Sequence, residues 1–185
     1  MYKRQELYKE GLEKELLLEQ GRLSRFSYHN IVGTGLRSGQ YEWTENFINT
    51  YKNTLEKQYR ESSYSFNLAR LAYSRQDYNE TLSLLQKSNY RDLLLNLSAK
   101  TLLLKTYCEL EEIDLLFSHL DAMQKYIRRK KVIGYHKTNY LNIIHFARRL
   151  ITINKFDKTE LNILAVAIKE EEILSEKQWF LKQLN

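Results

Sequence analysis

Ten lysines and arginines stand between Lys125 and Lys158 with a single acid, Asp157, among them. The segment carries +9 while the whole 185-residue chain carries +6, so the remainder is −3 and the positive charge is local. Guanidinium and ammonium groups gathered this way hold carboxylates or phosphates by charge-assisted hydrogen bonds, which points to an acidic protein segment or to nucleic acid. The run Arg128-Arg129-Lys130-Lys131 also suits the negative end of a helix, and lysine and arginine are ordinary surface helix formers. The other reactive residue types make no constellation. His29, His119, His136 and His145 have no metal-ligand spacing and no HExxH arrangement. Cys108 lies among apolar residues with no histidine close in sequence, and reads as a quiet thiol. Glu109, Glu111, Glu112 and Asp114, like Glu170 to Glu172, read as solvated helix faces rather than paired catalytic carboxylates. Gly33, Gly35 and Gly39 lack the preceding strand that a phosphate-cradling loop requires, so they read as packing glycines and a helix end. The sequence announces no cofactor, no metal and no catalytic residue, and the chain reads as non-enzymatic.

These residues must be positioned by helices. Apolar residues make up 43% of the chain, charged residues 28%, and proline is absent, so one core of long helices is permitted. No apolar run reaches the roughly 20 residues of a membrane span, and the best, Leu161 to Ile168, contains Asn162. The charged start MYKRQELYKEGLEK shows no secretory signal, and one cysteine excludes an internal disulfide, so the expected location is the cytoplasm. Leu7, Tyr8, Leu12, Leu16 and Leu17 predict a first helix over residues 2–20, closed by Gly21. It reads as a cap, or as the second half of a repeat cut from a longer chain. Helical hairpins follow at about 24–56, 62–88, 92–131 and 137–175, with Ser24, Asp77 or Asn79, and Asp92 as N-caps. Nothing alternates with period two, so no strand is expected.

The second helix of each hairpin opens at Tyr41, Tyr78, Ile113 and Phe156, at separations of 37, 35 and 43 residues. Ten residues earlier stand Ile31, Leu68, Leu103 and Phe146. Seven residues later stand Ile48, Leu85, Leu120 and Ile163, and three later Thr44, Thr81, Leu116 and Thr159. Recurring large and small positions let hairpin stack on hairpin around one continuous core. With these residues, and above all NLARLAYSRQDYNETLSLLQKS, the chain resembles the tetratricopeptide-repeat family over about residues 24–170. FSYHNIVGTGLRSGQ is similar to the first helix of a pentatricopeptide repeat, a related RNA-binding solenoid. The resemblance implies an all-α, right-handed α-solenoid of about four antiparallel hairpins.

Eight residues before each hairpin's hinge stand Gly33, Arg70, Lys105 and Arg148. That position lies about 200° round the helix from the large packing residue and points away from the hairpin's own seam; in the family it resembles one that lines the concave groove. The expectation is therefore a protein-interaction scaffold. Its groove, lined by Arg70, Tyr73, Lys105 and Arg148 and deepening toward Arg128, Arg129, Lys130 and Lys131, would hold an acidic peptide or a free carboxyl terminus. RNA binding by the basic segment 125–158 is the alternative, with Tyr126, Tyr135 and Tyr140 available for stacking on bases. Trp179-Phe180 leaves room for oligomerisation through an apolar end.

Overall fold

A short polar residue just before an apolar-periodic stretch caps a helix, and four such residues do so here. Ser24 accepts from the Ser27 N–H at 3.0 Å, Asp77 from Glu80 at 3.0 Å and Asp92 from Leu95 at 2.8 Å. Asp157 accepts from the N–H groups of Thr159 and Glu160. The computed structural model describes residues 2–87, 90–130, 134 and 136–184, the first four of these as backbone. Those residues form an all-α chain of ten α-helices and one minimal strand pair. Among the described residues no helix is long and apolar enough to cross a membrane. Two compact units are present, Met1–Leu95 and Asn96–Asn185.

The first unit contains α1 (Tyr2–Glu13), α2 (Arg25–Arg37), α3 (Tyr41–Tyr51), α4 (Lys57–Ser74) and α5 (Tyr78–Lys87). A short 3-10 turn, Lys52–Thr54, joins α3 to α4. Its core gathers Tyr28, Ile31 and Val32 of α2, Phe47 and Ile48 of α3, and Leu71 of α4, closed by Leu12, Leu23 and Leu55. Each such side chain contributes about 1.5–3 kcal/mol by leaving water. The Tyr28 hydroxyl donates to the Ile48 carbonyl at 2.8 Å, so the one polar atom of that buried ring is satisfied.

Three expectations change. Helix α1 stops at Glu13, and the chain then makes strands β1 (Leu18–Glu19) and β2 (Arg22–Leu23), an antiparallel pair turned by Gln20 and Gly21 at φ 52° and 75°. Gly21 is thus a hairpin-turn residue and not a helix cap, because two successive left-handed residues match the twist of paired strands. Leu7 and Leu16, placed on the buried face by spacing alone, are 66% and 75% exposed. The polar stretch KQYRESS, most of which falls between the expected hairpins 24–56 and 62–88, is the first two turns of α4.

The second unit holds most of α6 (Leu93–Glu109), with α7 (Ile113–Arg129), α8 (His136–Thr152), α9 (Lys158–Glu170) and α10 (Lys177–Lys182). Leu116, Leu120, Met123 and Ile127 form one buried stripe along α7, which packs on α8; α10 packs on α8 and α9. The sequence reading missed α10. The last expected hairpin ended near residue 175 and Trp179-Phe180 read as an apolar end open to oligomerisation, yet those residues are 9% and 0% exposed within their own unit.

Four helices end alike. Glu15, Gly39, Gln76 and Glu111 have φ of 56°, 70°, 63° and 58°. In each case the next N–H returns to a carbonyl five residues back: Leu16 to Gly11, Gln40 to Gly35, Asp77 to Ala72 and Glu112 to Tyr107, at 2.8–3.0 Å. This closure satisfies carbonyls that a helix end leaves open. Tyr41, Tyr78 and Ile113 each follow the left-handed residue by two positions, so the first three expected hinges share one turn. The fourth does not. Phe156 is 96% exposed, Thr159 and Ile163 face solvent, and burial falls on Leu164 and Ile168 instead, which moves the packing register of α9 by one residue.

Candidate functional site

The three cations expected to line a groove are all engaged within their own units. Arg70, on α4, donates from Nη1 to the His29 carbonyl at 3.0 Å and to Asn67 Oδ1 at 2.9 Å. Its guanidinium lies against α2 at Gly33, where an added Cβ would stand 2.6 Å from Nη2. Lys105, on α6, pairs with Glu176 at 2.9 Å and lies over the Trp179 ring. Arg148, on α8, pairs with Asp121 of α7. Tyr73, half-buried on α4, packs its ring against Tyr78 of α5 with centroids 5.5 Å apart.

The basic cluster differs. Arg128 and Arg129 are the last residues of α7, Lys130 is its C-cap, and all three are exposed. Lys131 lies outside the described residues, as does Tyr135. Lys130 approaches the Tyr126 ring at 5.4 Å, and Lys100 of α6 does so at the same distance. Tyr140 is buried in the core at 8% exposure. Of the tyrosines expected to stack on bases, one is therefore a core residue and one already has its ring against two lysines.

A buried polar node, His29–Asn67–Arg70, was not anticipated. Asn67 is fully buried and donates from Nδ2 to His29 Nδ1 at 2.9 Å, while its Oδ1 accepts from Arg70. Loss of water around His29 lowers its pKa from 6.5 to about 4; Arg70 and Arg25 push it down and Asp92 up. The unfolded chain therefore binds a proton that the fold does not. Stability is expected to fall as pH drops from 6.5 toward 4, by up to about 3 kcal/mol from this group. Urea midpoints measured across that range for wild type and His29→Gln test this: the variant should lose that part of the slope, and parallel curves would contradict it. A signal was present in sequence only as a histidine one helical turn before a glycine.

The remaining reactive groups are quiet. His119 donates from Nε2 to the Lys100 carbonyl at 2.8 Å, and burial lowers its pKa. Burial pushes the Cys108 thiol up to about 11, against the lowered value that a nucleophilic thiol needs. Gly33 and Gly35 lie inside α2 and not in a loop. Among the described residues no group of three or more His, Cys, Asp or Glu side chains could hold a metal ion. No protein-family model, no curated protein and no solved structure matches the chain.

Proposed function

We propose that the chain is a non-enzymatic helical-repeat module that binds other proteins in the cytoplasm. On this reading α2–α3, α4–α5 and α6–α7 are successive repeats of a tetratricopeptide-like, right-handed solenoid, with α8–α9 a divergent last repeat. The shared left-handed turn at Gly39, Gln76 and Glu111 supports the repeat assignment. The exposed cations Arg128, Arg129 and Lys130, rather than the internally paired ladder, are the site for an acidic segment. The observation that carries this assignment is the contrast between them: three exposed cations on one helix end, and Arg70, Lys105 and Arg148 each with a partner within the fold.

Fluorescence anisotropy with a short labelled polyglutamate peptide tests it, with single-stranded RNA as competitor. Arg128→Glu/Arg129→Glu/Lys130→Glu is expected to weaken peptide binding about tenfold or more, while Arg70→Lys leaves affinity unchanged. Peptide binding unaffected by the triple reversal would overturn the site. Preferential, steeply salt-dependent binding of the RNA would put the nucleic-acid reading in its place.

A further inference from the structure

Past the end of α9 the chain turns back on its own unit. The Ser175 N–H bonds to Asn139 Oδ1 at 2.7 Å, and Asn142 Nδ2 donates to the Ile173 carbonyl at 3.1 Å; both asparagines are on α8. Helix α10 then meets side chains of α6 and α8. Glu176 Oε2 accepts from Lys105 Nζ at 2.9 Å, and Trp179 Nε1 and Gln183 Nε2 both donate to Glu109 Oε1, at 3.1 and 2.9 Å. The Phe180 ring lies 6.1 Å from that of Phe146, centroid to centroid, and is completely buried.

A helix of six residues has almost no stability of its own, so α10 is helical because this face holds it. The contact has the anatomy of a recognition interface: two adjacent aromatic anchors at its centre, and an ion pair and a doubly hydrogen-bonded carboxylate at its rim. Helix-in-groove recognition uses the same parts. We propose that this face of α6 and α8 is a docking surface for a short helix of a partner protein. The partner carries a carboxylate followed three and four residues later by aromatic side chains, as Glu176, Trp179 and Phe180 do. The chain's own C-terminal segment holds the surface closed until such a helix displaces it. This rests on reading the chain as a protein-binding module.

The probe is a fluorescein-labelled synthetic peptide of residues 171–185, added to the 185-residue chain. Wild type should bind it weakly, because the tethered segment competes at an effective concentration that is roughly millimolar. Glu176→Lys, and separately Trp179→Ala, loosen the tethered copy. Each should bind the peptide about tenfold more tightly than wild type, and adding Lys105→Glu to the first should abolish the gain. Equal peptide binding by wild type and both variants would sink the proposal. So would loss of helical circular dichroism in both variants, because the segment would then be an inseparable part of the core. Either failure leaves the polyglutamate result at Arg128, Arg129 and Lys130 unchanged, so the two readings fall separately.

Discussion

Arg70→Glu is expected to destabilise the folded chain by about 3 kcal/mol or more, with no ligand present. The substitution removes the donor shared by the His29 carbonyl and Asn67 Oδ1, and sets a carboxylate against both acceptors beside the Gly33 backbone. Asn67 is fully buried, so water cannot make good the loss. Arg70→Lys keeps the charge but not the planar fork, and should cost about 1–2 kcal/mol. Guanidinium unfolding followed by circular dichroism gives both values. If Arg70→Glu unfolds at the same midpoint as wild type, the side chain is not a structural element and returns to the set of groups available to a partner.

Gly35→Ala is the second large effect. In an ordinary exposed helix the change would stabilise by about 1 kcal/mol. Here the new methyl would sit 2.1 Å from Thr44 Oγ1 and 3.3 Å from its Cβ, where α2 crosses α3. Thr44 is completely buried, and its hydroxyl is held by a 2.7 Å bond to the Gln40 carbonyl, so it cannot swing away. The overpacking should cost about 2–3 kcal/mol net. Thr44→Ala alone costs about 1 kcal/mol through its lost hydrogen bond. The double variant should be more stable than the sum of the two changes by at least about 1 kcal/mol, since the clashing oxygen is gone. Strict additivity in that cycle would mean that the helices separate instead of colliding.

Much of the architecture is legible in the residues, because caps and apolar stripes are local. Ser24, Asp77 and Asp92 cap where their types predict, and the stripe through Leu116 and Leu120 of α7 is buried as its spacing requires. The misses have local causes too. Glu15, Gln76 and Glu111 adopt left-handed φ without being glycine, so the end of α1 carried no glycine signal while Gly21 carried a misleading one. Helix α10 is too short for periodicity to reveal, and depends on contacts far away in sequence with Lys105 and Glu109. The candidate site was the least legible part. Repeat position identifies which cations share a helix face, but not which of them are satisfied by the fold itself. Arg70 is matched by a carbonyl on α2 and an amide on α4, and Lys105 by a glutamate 71 residues away, partners that only folding brings together. The run at Arg128 to Lys130 was legible because a helix end leaves consecutive cations facing water.

The central claim is that this chain acts by binding other proteins through its exposed basic helix end. It is tested most directly by capture from total cell lysate with wild type beside Arg128→Glu/Arg129→Glu/Lys130→Glu, each with and without nuclease. The account predicts a defined protein retained by wild type, lost by the triple variant and indifferent to nuclease, whose acidic segment then competes for binding as a synthetic peptide. Capture that vanishes with nuclease, or that is equal for the two proteins, would contradict it.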